Sequence, residues 1–160
     1  MKRVLKWLAI GLPVLFIAIQ FIRPERTNPP IDPERTLEKH VTIPDDIKTM
    51  IKTACNDCHS HETVWPWYSE IAPISWLVAH DVNEGRRHLN FSDWKKYNAH
   101  RQVEKLNEMA GEVRSEKMPM PIYLITHGDA RWTKEDRKKF QNWAEDAADA
   151  LSENLPDEDK

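Results

Sequence analysis

Cys55-Asn56-Asp57-Cys58-His59 constrains this chain more than any other stretch. Two cysteines with two residues between them, followed at once by histidine, form the c-type haem attachment pattern: both thiols add across the haem vinyl groups while the imidazole ligates iron. These are the only two cysteines, so neither a disulfide framework nor a four-cysteine metal site can be built. The competing readings are a redox dithiol, or zinc held by Cys55, Cys58, His59 and His61. A thioredoxin-type dithiol sits beside a strand and opens a helix, whereas here a helical pattern leads into the motif.

The chain of 160 residues has room for one core plus an appendage. Of the net charge of −3, residues 1–26 hold five cations against Glu25, which is +4, so the remainder carries −7. That acidity argues against a phosphate-binding, nucleic-acid role; it keeps the domain soluble or steers a basic partner.

Lys2, Arg3 and Lys6 precede an uncharged run from Trp7 to Ile22, the pattern of an export signal or signal anchor. Sixteen helical residues cover about 24 Å, short of a hydrocarbon core of roughly 30 Å, so spanning needs flanking residues or local thinning. No small-x-small cleavage site ends the run, which predicts a retained anchor with its basic end in the cytoplasm. The expected address is the cell inner membrane, single-pass, with the cysteines on the periplasmic side.

Four segments follow: an anchor over 1–26, a proline-rich tether over 27–44 that lifts the domain off the membrane, a domain over 45–151 and an acidic tail over 152–160. Ile47, Met50, Ile51 and Ala54 recur at the spacing of a buried helical face, behind a cap at Asp45. Pro73 opens a second helix, expected to stop at Gly85. Ser92 is the expected cap of a third, carrying Trp94, Tyr97, Val103, Leu106, Met109 and Val113. Met118-Pro119-Met120-Pro121 breaks it. Thr133 with Asp136 resembles a shortened capping box before a last stripe through Phe140, Trp143, Ala144, Ala148 and Leu151. No segment alternates at period two, so the predicted class is all-α, wrapped around one covalent haem.

An iron ligated by His59 needs a second axial ligand or an open face. Met118 and Met120 are the sulfur candidates, held in a proline-stiffened loop between helices, with Met118 preferred. Either could instead only fill apolar space. His80 and His127 are weaker distal candidates, and His61 is too close to the motif to cross the haem. Trp65, Trp67 and Tyr68 follow the motif so closely that they are expected beside the haem, where large flat side chains exclude water. Arg86 and Arg87 could pair with a propionate by charge.

With these residues in place, the chain resembles the small haem-binding domain family of membrane-tethered bacterial proteins, related to cytochrome c. The similar part runs from Asn28 to Trp143. It includes Cys55-Asn56-Asp57-Cys58-His59-Ser60, Glu62-Thr63, Trp65-Pro66-Trp67-Tyr68, Ala72-Pro73, Ser75-Trp76-Leu77 and His80-Asp81-Val82. It continues through Glu84-Gly85-Arg86-Arg87, Leu89-Asn90-Phe91-Ser92-Asp93-Trp94, Met118-Pro119, Tyr123-Leu124 and His127. The resemblance implies one covalent haem c, a proximal ligand at His59 and an exported domain held by an N-terminal helix. By similarity to class I cytochromes, Met118 takes the sixth position, although the doubled Met-Pro leaves Met120 open. The expected function is single-electron carriage with an unnamed redox protein as partner, rather than catalysis. The alternative is a redox or gas sensor whose methionine is displaced. A peroxidase would need an open iron face with a nearby base.

Overall fold

The computed structural model describes residues 1–153 and 155. Among them the chain is all-helical: α1 (Lys2–Ile19), α2 (Leu37–His40), α3 (Asp45–Ala54), α4 (Asn56–His59), α5 (Ile74–His88), α6 (Ala99–Arg114) and α7 (Lys134–Glu153), joined by short 3₁₀ turns. Ser152 and Glu153 of the expected acidic tail complete α7, and most of the rest of that tail lies outside the described residues.

Helix α1 opens with Lys2, Arg3 and Lys6 and is uncharged from Trp7 on, with Pro13 inside it, and it buries no side chain against the protein. Its 18 residues cover about 27 Å. Among the described residues no helix is long and apolar enough to cross a membrane.

The segment expected to be a free tether is packed. Gln20, just past α1, exchanges two hydrogen bonds with the Ala72 backbone, donating to its carbonyl at 3.1 Å and accepting its N–H at 2.9 Å. The Trp76 indole donates to Ile22 O at 2.7 Å, and Arg26 binds Ser69 O and the Glu70 carboxylate. Arg86 then donates to Thr27 O and Asn28 Oδ1, each at 2.8 Å. Further on, Leu37, Val41 and Ile43 enter the core. The prolines deny a long helix, but three apolar anchors and a row of backbone acceptors suffice to fasten an irregular chain.

The core joins Leu37, Ile47 and Ile51 to Phe91, Trp94, Leu106, Phe140 and Ala144. Helices α6 and α7 pack along their length, and α3 meets α7. Two expected boundaries move. Helix α5 runs three residues past Gly85 to His88. The segment after Ser92 is a 3₁₀ turn, Phe91–Lys96, because Asn98, not Ser92, caps α6 by accepting from Arg101 N at 2.9 Å. The capping box does form at α7: Thr133 Oγ1 accepts from Asp136 N at 3.1 Å, and the Asp136 carboxylate accepts from Thr133 N at 2.9 Å.

Candidate haem site

Helix α3 ends at Ala54 and the chain turns at once into α4, so Cys55, Cys58 and His59 project from one tight bend. Helix α5 crosses that bend at Gly85. A Cβ there would lie 2.3 Å from Cys58 O and 2.9 Å from its carbonyl carbon, a distance only a hydrogen side chain permits. This approach brings a carbonyl of α5 and one just past its end to the imidazole: His59 Nδ1 lies 3.0 Å from Gly85 O and 3.1 Å from Leu89 O. Carbonyl oxygens only accept, so Nδ1 carries the proton and Nε2 keeps its lone pair. That is the arrangement of a metal-ligating histidine oriented by a backbone partner. Burial lowers the His59 pKa, which keeps the ring neutral.

A cavity of about 380 Å³ opens beside this ring. Cys55, Cys58, His59, Met118 and Met120 all line it, together with Phe91, Met109, Val113, Trp132 and Phe140. The two thiols are unpaired, and burial pushes both up to about 12. At physiological pH burial keeps both as neutral thiols. Nor does His61 join them: its Nε2 is 2.9 Å from Asn90 Nδ2. Among the described residues no three His, Cys, Asp or Glu side chains converge as a metal-binding group. A haem iron, which takes four of its ligands from the porphyrin, needs only one protein group on each face.

The methionine loop is held at several points. Glu116, at φ 58°, ends α6 in the left-handed region, so Glu116 N bonds to Val113 O and Lys117 N to Glu112 O. Met118 N also donates to Glu112 O, at 3.2 Å, while Arg137 donates to Met118 O at 2.9 Å. Beyond the prolines, Tyr123 donates to Asp57 Oδ2 at 2.8 Å and lies 3.2 Å from Thr53 O, tying the loop to the two flanks of Cys55. Its ring stacks on His127 at 3.8 Å.

Trp65, Trp67 and Tyr68 are absent from the cavity lining. Trp67 is 75% exposed in the 3₁₀ turn Trp67–Glu70, and Tyr68 OH lies 2.9 Å from Thr126 Oγ1, on the loop that follows Met118. Phe91, Tyr123, Trp132 and Phe140 are the Phe, Tyr and Trp side chains that line the cavity. Arg86 is also occupied elsewhere, donating to Ser60 O, Thr27 O, Asn28 Oδ1 and Thr63 Oγ1, each at 2.8 Å. His80 is exposed, whereas His88, to which the sequence assigned no role, lines the cavity.

A second depression, about 700 Å³, lies between α3 and α7 and is lined mainly by charged and polar side chains. It holds none of the thiols, imidazoles or thioethers above.

An all-helical domain with a buried neutral imidazole, two free thiols and an apolar cleft is the form of a haem protein. The chain matches the family described as "Haem-binding domain" over residues 14–146, and it belongs to that family. Neither curated proteins nor solved structures returned a match. The residues fit the group: His59 presents a free lone pair, and the walls are mostly apolar.

Proposed function

We propose that this protein is a membrane-anchored monohaem c-type cytochrome that carries single electrons on the periplasmic side of the cell inner membrane. The observation that carries the reading is His59, whose Nδ1–H is spent on Gly85 O and Leu89 O while two free thiols stand on the same bend. Cys55 and Cys58 would form the two thioethers, His59 would ligate from one face and Met118 from the other. The group supplies a one-electron iron couple whose potential is raised by a thioether opposite an imidazole.

Met118 is favoured over Met120 because its backbone is clamped on both sides, by Glu112 O and by Arg137. Helix α1 would serve as the anchor, its exposed apolar side chains meeting lipid and Lys2, Arg3 and Lys6 remaining at the cytoplasmic end. At about 27 Å it needs local bilayer thinning, because Gln20 and Ile22 just beyond it are bonded to Ala72 and Trp76 of the domain.

Optical spectra of the exported wild type, Met118→Ala and Met120→Ala test cofactor and ligand together. The expected wild type is low-spin with a weak long-wavelength sulfur-to-iron band when oxidised; Met118→Ala loses the band and Met120→Ala keeps it. Absence of haem stain on a denaturing gel would reject covalent attachment. Rapid carbon monoxide binding by the reduced wild type would favour a sensor over a carrier.

A further inference from the structure

Among the described residues beyond Ile31, the large apolar side chains left exposed fall in two stretches, 64–77 and 122–125. Val64 and Trp67 are each 75% exposed and Ile125 72%, so these are not core residues glimpsed at an edge. Charge avoids the same stretches: residues 64–78 contain only Glu70, whose carboxylate Arg26 holds, and residues 118–126 contain none. An otherwise acidic domain therefore withholds charge from one part of its surface.

The fold joins the two stretches. Tyr68 OH lies 2.9 Å from Thr126 Oγ1, which sets the neighbour of Trp67 against the neighbour of Ile125. Asp57 accepts from Val64 N at 2.9 Å through one carboxylate oxygen and from Tyr123 at 2.8 Å through the other, so one side chain ties Val64 to the residue after Ile122. The 3₁₀ turn Trp67–Glu70 packs on α5, whose first turn exposes Ile74 and Leu77 at the three-residue spacing of one helix face. Apolar side chains exposed singly are ordinary, but a contiguous patch of them marks a binding surface.

Helix α1 says what meets it. Gln20, one residue past α1, exchanges two hydrogen bonds with the Ala72 backbone, and Trp76 donates to Ile22 O at 2.7 Å. The end of the apolar helix is thus bonded to the domain between Ile71 and Leu77, inside the patch. Where α1 leaves lipid, the patch is already at the bilayer surface. Trp67, an exposed indole beside aliphatic side chains, is the residue type that settles at headgroup level.

We propose that the surface formed by residues 64–77 and 122–125 docks on the lipid bilayer, so that the domain lies against the membrane through its own apolar side chains and not by α1 alone. The proposal rests on the anchor reading of α1 and is independent of how haem is ligated.

The test places the exported full-length protein in nanodiscs of phosphatidylethanolamine and phosphatidylglycerol, doped with a phospholipid that carries a diazirine high on its acyl chain. After illumination, peptide mass spectrometry maps the lipid adducts. They should fall in α1, in 64–77 and in 122–125, and be missing from α7. The double variant Ile74→Asp/Ile125→Asp, at exposed positions outside the cavity lining, should lose the domain adducts while keeping those in α1 and the wild-type optical spectrum. A double variant that folds and retains the domain adducts overturns the docking. Wild-type adducts in α1 alone also overturn it, in favour of a protein partner or a second copy on the patch, and leave the anchor standing. Adducts spread equally over the patch and α7 report random collision and overturn it as well. No adduct in α1 rejects the anchor reading and the docking with it. Should the double variant fail to fold, the wild-type map decides.

Discussion

Gly85 holds the site together by what it lacks. Its missing side chain lets α5 settle on the Cys58 carbonyl, and the same residue's own carbonyl then accepts from His59. Gly85→Ala puts a methyl group 2.3 Å from a backbone oxygen that cannot swing aside. The expected cost is on the order of 3 kcal/mol in urea unfolding, with less haem-staining protein recovered after export. An alanine variant with wild-type midpoint and yield would show that α5 does not depend on this contact. Sequence alone reads this glycine as a helix stop, because a glycine near the end of an apolar stripe looks the same whether it terminates a helix or admits a neighbour.

Among the elements, the loop from Glu116 to His127 matters most, since it joins two helices while closing the far side of the cavity. Glu116 takes a left-handed conformation that costs an L side chain roughly 1–2 kcal/mol, so Glu116→Gly should stabilise the fold by about 0.5–1 kcal/mol in chemical denaturation. A destabilised glycine variant would mean that the exposed carboxylate has a use elsewhere. Tyr123 is the loop's bolt to the motif. Tyr123→Phe removes the donor to Asp57 at a cost of about 1 kcal/mol. With the loop freed, the reduced protein should bind carbon monoxide faster in stopped flow; an unchanged rate would separate the bolt from the distal ligand.

Across the whole molecule, Arg86 links what the motif alone could not: the segment after His59 at Ser60 and Thr63, helix α5, and the irregular strap at Thr27 and Asn28. Several acceptors lose a charged donor together in Arg86→Ala, so stability should drop by roughly 3 kcal/mol. Amide exchange over 20–28 should quicken more than exchange in α6 and α7, while equal acceleration everywhere would deny the strap an identity of its own. Lysine at this position keeps a charge but not the planar fork, and should recover little of the loss.

The all-helical class, the α3 stripe, the α7 cap and the grouping of Cys55, Cys58 and His59 on one bend were legible from local order, because helical periodicity and a five-residue motif are properties of neighbours along the chain. Only the folded chain decided that Trp67 is exposed, that Phe91, Tyr123, Trp132 and Phe140 line the cavity, and that Lys105 is buried. It also decided that the proline-rich stretch is bound down and not free. Those outcomes depend on which surfaces meet across long separations, where a missing Cβ or a row of unpaired carbonyls selects a partner that no short window of residues encodes.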